Sequence, residues 1–343
     1  MGLKIGVIFD QSHGIVGNTI ETRCADNQKQ KTKEEVCRVL KKRYDVVEII
    51  ADKNIIQNLR DSKIDLAFPL CTGIRGECRQ SHVPAILEML GIPYVGSGIL
   101  GHSLALSKSI AKQIFDYNNI STPAFQIFNT IKEKLDSNLK FPLIVKPSCE
   151  GSGFGIHKDS VVYNERDLIK KVKSLLKEYR PPVLVEEFIE GRELTVALIG
   201  NGNQKEFLPI MEIDFEDIPE EFGKFYTFEV KSKFDKKTKY LCPAPLNPQI
   251  QQSVKYNAKR AFDVLGCKDF ARIDIRLRGN KPYILEINSL PGLKPQYSDL
   301  PKMALKAGLS YEDLIFEIVG TAINRLEQDK VTINSVLTKK GIS

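Results

Sequence analysis

The chain has 343 residues, 42% of them hydrophobic and 27% charged, and a net charge of +7. Such a composition belongs to an ordinary globular protein with room for two or three lobes, each with its own core. It excludes a low-complexity chain, and no run nears the roughly 20 apolar residues that a bilayer span requires, so no membrane partner is expected.

Seven scattered cysteines form no CxxC pair. An odd, unpatterned set suits a reducing cytosol better than a disulfide scaffold, so a cytoplasmic location is expected. The basic runs Lys41-Lys42-Arg43 and Lys236-Lys237 are short and carry no interleaved aromatics. They read as solvated faces, and no nucleic-acid partner is expected.

In chain order, residues 4–10 form an apolar run ending in Asp10, the pattern of a buried parallel strand. Residues 32–43 read as a helix, 46–50 and 65–69 as strands, 83–90 as a helix and 92–97 as a strand running into glycine. Strand–helix alternation at this spacing predicts a doubly wound α/β lobe. The middle of the chain reads as a helix over 103–117, a strand over 141–147 and a glycine-rich loop over 148–155. An amphipathic helix over 165–179 follows, carrying Leu168, Ile169, Val172, Leu175 and Leu176, and then a strand over 183–189. Strands are expected at 194–199, 207–213, 270–278 and 282–288, and helices at about 248–265 and 311–328. The division is 1–102, 103–190 and 191–330, with a polar tail at 331–343.

Three patterns carry chemistry. Lys146 ends an apolar strand, and Gly151, Gly153 and Gly155 follow, with Ser148 and Ser152 among them. Glycines let successive backbone N–H groups approach an anion closely, although a purely structural turn has the same look. No GKS or GKT occurs, so this is not a Walker A loop. In the second pattern, Arg272 and Asp274 alternate along one strand, and Glu286 and Asn288 along another. If the two strands pair, one cation, two carboxylates and an amide oxygen converge. Oxygen ligands of this kind suit Mg²⁺, with an exposed hairpin face as the alternative. The third pattern spans 186–196, where Glu186 and Glu187 end a strand, a glycine turn follows and Glu193 opens the next strand. Such a hinge could hold a base and a ribose, or be a solvated turn.

Together these segments resemble the D-alanine–D-alanine ligase branch of the ATP-grasp superfamily. The resemblance rests on GlyIleProTyrValGlySerGly (91–98), Ser107-Lys108, residues 145–152, Glu186 through Thr195, PheGluValLys (228–231), CysProAlaProLeu (242–246), ArgIleAsp (272–274) and GluIleAsn-x-x-ProGly (286–292). It implies an α/β N-terminal lobe and two α+β lobes clamping ATP, and a ligase that joins a carboxylate to an amine through an acyl phosphate. By the same resemblance, Lys108, Lys146 and Ser152 serve the ATP phosphates, and Glu186, Glu187, the backbone at Ile189 and Glu193 the base and ribose. Asp274, Glu286 and Asn288 would hold two Mg²⁺ ions, with Mn²⁺ as an alternative occupant. Lys231 would reach the γ-phosphate from a lid at 221–241. Arg272 and the Gly292 N–H would stabilise an oxyanion, and Ser298 would meet the carboxylate of the second substrate. A homodimer through the N-terminal lobe is also implied.

The resemblance breaks in the first-substrate region. Residues 10–18 lack the family's Glu-Arg-Glu signature, with Glu21 only a loose replacement. CysThrGlyIleArgGlyGluCysArgGln (71–80) stands where the family has a His-Gly loop, and Ser232 stands where it has Tyr. The first substrate is therefore expected to differ from D-alanine, with a true D-alanine–D-alanine ligase, and a nucleotide-binding protein without ligase activity, as the alternatives. His13 and His82 are candidates to line its pocket, with structural roles as the alternative.

Overall fold

The computed structural model describes residues 2–10, 20–73, 76–151, 153–179, 181–234 and 237–339, with backbone only for 20–27, 232–233 and 330–339. Strand β1 (Lys4–Phe9) leads into α1 (Ile20–Leu40), then β2 (Asp45–Ile50), α2 (Ile55–Ser62), β3 (Leu66–Pro69) and α3 (His82–Met89). The three strands form a parallel sheet in the order β2-β1-β3. The strand expected at 92–97 is reduced to a single bridge, Tyr94 to Ala67. Pro93 has no N–H to give a ladder, and Gly96, with φ at +97°, turns the chain away.

The helix expected over 103–117 is two helices, α4 (Ile99–Leu106) and α5 (Lys108–Tyr117), separated by an extended Ser107. Ser148 makes the break: its carbonyl accepts from Lys108 N at 3.0 Å and its Oγ accepts from Ser109 N at 3.1 Å. The loop that follows Lys146 thus caps α5 and sets Lys108 at the start of that helix.

A four-stranded antiparallel sheet follows, ordered β4-β7-β5-β6, from β4 (Phe125–Phe128), β5 (Leu143–Pro147), β6 (Val161–Val162) and β7 (Val183–Glu187). Helix α6 (Glu165–Glu178) begins at Asn164, whose side chain accepts from Asp167 N, and buries Leu168, Val172 and Leu175 against this sheet.

The third sheet has six strands, β8 (Arg192–Ile199), β9 (Glu206–Phe207), β10 (Met211–Asp214), β11 (Lys239–Leu241), β12 (Phe270–Arg278) and β13 (Lys281–Asn288). The short helix α7 (Phe228–Lys233) lies within the expected lid and is capped by Thr227. Helix α8 (Pro248–Val264) covers one face of the sheet, where Ile273, Ile275 and Leu277 are buried with Val254 and Phe262. After α9 (Asp299–Lys306) comes α10 (Tyr311–Lys339). It runs past the expected stop at 328, so residues 331–339 of the polar tail are helical. Its Leu314, Ile318 and Ala322 join Ile5, Val7 and Leu40 in one core, which fastens the N-terminal sheet to the third sheet. No helix among the described residues is long and apolar enough to cross a membrane.

Candidate active site

The third sheet supplies a polar face by alternation alone. Arg272, Asp274 and Arg276 point to the side of β12 opposite Ile273 and Ile275. The register sets Asn288 opposite Arg272 and Glu286 opposite Asp274 on β13, and Thr195 opposite Asp274 on β8. The expected convergence of cation, carboxylates and amide is therefore present, and Asp274 is its centre. Its two oxygens accept from Arg272 Nε (2.8 Å) and Nη2 (2.7 Å), from Thr195 Oγ1 (2.8 Å) and from Asn288 Nδ2 (2.9 Å). Arg272 also reaches Asp299, Nη1 to Oδ2 at 3.3 Å. Burial opposes the charge on Arg272, but Asp274 and Asp299 outweigh it and hold the guanidinium firmly protonated. Glu286 sits 3.1 Å from Lys108 Nζ. Burial works against its charge too, yet Lys108 and Lys146 keep its carboxyl well below the usual range. Two carboxylates and an amide from adjacent strands are an oxygen donor set that fits a hard divalent cation. Among the described residues, no group of three or more His, Cys, Asp or Glu side chains could hold a metal.

The second sheet brings Lys146 and Glu186 onto one face, Nζ to Oε1 at 2.5 Å. Lys112, on α5 and fully buried, lies 2.7 Å from Glu186 Oε2 and donates to Thr122 Oγ1 at 2.5 Å. Burial pulls the Lys112 ammonium down to about 8 despite Glu186 beside it. The two lysines overcome the burial of Glu186 and hold its carboxyl below the usual range. Glu186 Oε2 is buried, with the Lys112 ammonium 2.7 Å away as its charge partner. Lys108 Nζ donates to the carbonyl of Glu150 in the glycine loop. The same loop is gripped from the N-terminal lobe by Arg79, which donates to Cys149 O (3.1 Å) and Glu150 Oε2 (3.0 Å). Ser152 lies outside the described residues.

The segment expected to be the lid packs on the end of the glycine loop and the residues just after it. Phe228 N donates to Ile156 O at 3.0 Å, and His157 Nδ1 and Glu229 Oε1 are 2.6 Å apart. Phe228 also meets Phe154 edge-on. Lys231 stands 5.4 Å from the Tyr226 ring, within the fields of Asp299, Asp274 and Glu286. Burial and the neighbouring Arg272 lower its pKa. Glu187 pairs with Arg278 at 2.6 Å, and Glu193 with Arg276 at 2.9 Å.

The loop after β13 completes the cleft. A Cβ on Gly292 would stand 2.7 Å from Ser298 Oγ, so only glycine admits Ser298 this close. Lys294 N donates to Ser298 Oγ at 3.2 Å. The loop's root is fixed by Ser289, whose Oγ shares a 2.8 Å hydrogen bond with His102 Nδ1. Burial pulls His102 down to about 4. The unfolded chain takes up this proton near pH 6.5 and the folded one only near 4, so between these values the unfolded state binds more protons. Stability is then expected to fall by about 3 kcal/mol as pH drops from 6.5 to 4. Denaturant unfolding at several pH values should show this slope, flattened in His102→Asn; equal slopes would remove His102 as the cause.

Asp299, Arg276, Thr195, Lys112 and Arg79 were not singled out from sequence. Asp299 follows Ser298 directly, and Arg276 continues the alternation of Arg272 and Asp274, so these two had a local signal. Of the first-substrate candidates, His82 is exposed at the start of α3. His13 lies outside the described residues, as does the side chain of Glu21.

Glycine loop and polar sheet face, carried on separate sheets, make this an ATP-grasp ligase fold. The solved D-alanine–D-alanine ligase of Bacillus anthracis complexed with ATP superposes with a TM-score of 0.74 at 28% identity, over 95% of this chain and 99% of that one. Residues 106–320 match the family model described as D-ala D-ala ligase C-terminus. The D-alanine–D-alanine ligase of Carboxydothermus hydrogenoformans is 36% identical over 82% of this chain and 88% of its own length. An uncharacterized protein of Sinorhizobium fredii is 38% identical over 76% of this chain and 75% of its own. The chain belongs to the D-alanine–D-alanine ligase family, and it is an ATP-dependent ligase of that type.

Proposed function

We propose that the chain joins two amino-acid-like substrates, activating the carboxylate of the first as an acyl phosphate for attack by the amine of the second. The observation that carries this reading is the pairing of Arg272, Asp274, Glu286 and Asn288 across β12 and β13, with Lys231 within the fields of Asp274 and Glu286. Asp274, Glu286 and Asn288 would hold Mg²⁺, which when bound offsets phosphate charge and polarises the transferring group. Lys108 and Lys146 would meet the phosphates beside the glycine loop, with Lys231 closing from above. Glu186, Glu187, the Ile189 backbone and Glu193 would bind base and ribose. Arg272 and the Gly292 N–H would receive the developing oxyanion, and Ser298 the second substrate's carboxylate. The folded lid supports exclusion of water from an acyl phosphate that water would hydrolyse. The three lobes, a cytoplasmic location and a homodimer belong to the same reading; the separate sheets support the lobes.

The first substrate is the point of departure from D-alanine. The family's amine-orienting Glu has no counterpart at 10–18. Losing a charged contact to a substrate ammonium costs a few kcal/mol, on the order of 10²-fold in rate. Phosphate release from Mg²⁺-ATP across a panel of D- and L-amino acids tests both points. D-alanine alone should be turned over poorly and another pairing faster. Robust D-alanyl-D-alanine formation would restore D-alanine as first substrate, and no release with any pair would refute the ligase reading.

A further inference from the structure

The hinge between β7 and β8 is organised by a residue to which the ligase reading gives no role. Arg276 stands opposite Glu193 in the register of β12 and β8, and it is 5% exposed. Its Nη1 donates to Glu193 Oε2 at 2.9 Å, and its Nε donates to the carbonyl of Ile189 at 2.9 Å. Its guanidinium carbon lies 5.2 Å from the centre of the Phe188 ring. One side chain therefore holds three positions of the hinge, two of them proposed nucleotide contacts.

The hinge is in turn tied to the lid through the same residues. The Phe188 ring meets the Phe225 ring edge-on, 5.5 Å between centres and 70° between planes. The backbone of Tyr226 lies against the Glu193 carboxyl and helps hold its charge. Burial pushes the Glu193 carboxyl up, and Arg276 is the first group to oppose that shift. A carboxylate in this position needs a fixed cation to stay ionised and keep its orientation. Ser232 stands where the family's lid carries Tyr, so hinge contacts such as these have more of the lid to hold.

We propose that Arg276 is the positioning residue that couples nucleotide binding at the hinge to closure of the lid. This rests on the ligase reading. The rigid fork of a guanidinium serves Glu193 and the Ile189 carbonyl at once, whereas an ammonium is a single point of charge. A nucleotide seated on Glu193 then finds its partner already aimed, and the Phe225–Tyr226 segment is drawn to the same carboxylate.

The test is calorimetric titration of wild type, Arg276→Lys and Arg276→Met with a non-hydrolysable ATP analogue and Mg²⁺, without amino acids. Hydrogen exchange of residues 221–231 is followed in parallel. Affinity is expected to fall by about tenfold or more in Arg276→Met and by a smaller factor in Arg276→Lys. The lid should gain protection with the analogue in wild type and stay poorly protected in both variants at saturation. Folded variants with wild-type affinity and lid protection would show that Arg276 only neutralises a buried carboxylate, which overturns the proposal alone. If Arg276→Met does not fold, Arg276→Lys decides by the same two readouts. A wild type that does not bind the analogue would overturn both the proposal and the ligase reading.

Discussion

Glu286→Gln is expected to lower turnover by on the order of 10³-fold, with the fold intact. The substitution keeps size and shape, and Glu286 stays opposite Asp274 on β13. It removes one of the two carboxylate charges available to a divalent cation, and it leaves Lys108 without the partner now 3.1 Å away. A lysine freed in this way, set against phosphates, does not replace the missing ligand charge. Phosphate release at saturating substrates should collapse, while circular dichroism and thermal unfolding stay near wild type. Near-normal turnover at ordinary Mg²⁺ would remove Glu286 from the metal set.

Arg272→Met should cost both activity and stability. Arg272 neutralises the partly buried Asp274 through a bidentate pair and the buried Asp299 at 3.3 Å. Removing one partner of a buried ion pair leaves uncompensated charge, and a loss of about 3–5 kcal/mol is expected in denaturant unfolding. Loss of an oxyanion donor adds a fall in kcat of about 10²–10³-fold in the protein that remains folded. Arg272→Lys separates the two effects. It restores charge and most of the stability, but one ammonium cannot reproduce the paired bonds to Asp274, so kcat should stay low. A lysine variant with wild-type kcat would exclude the oxyanion role.

The residue pattern alone determined much of the catalytic sheet. Period-two alternation is a property of the strand itself, so Arg272 with Asp274, and Glu286 with Asn288, had to share faces wherever the strands lay. The apolar stripe of Leu168, Val172 and Leu175 likewise required a helix with one buried side. Glycines after Lys146 marked a loop able to approach an anion, and the resemblance pointed to 221–241 as a lid and 186–196 as a hinge. Element ends were less legible. The break at Ser107 depends on Ser148, some 40 residues away in sequence, and the strand at 92–97 shrank to a bridge because Pro93 and Gly96 cannot continue a ladder. Helix α7 is one short turn held by Thr227, too brief to leave a periodic trace.

The tertiary structure alone decided which charges meet. Lys112 reaches Glu186 from another element, Arg79 grips the glycine loop from the N-terminal lobe, and Asp299 closes on Arg272. None of these pairs is close in sequence, and Lys112 and Arg79 by themselves read as ordinary surface charge. Alternation and amphipathicity are written into consecutive residues by backbone geometry. The pairing of buried charges is set by which distant elements pack together, because only their packing removes the water that would otherwise solvate each charge alone.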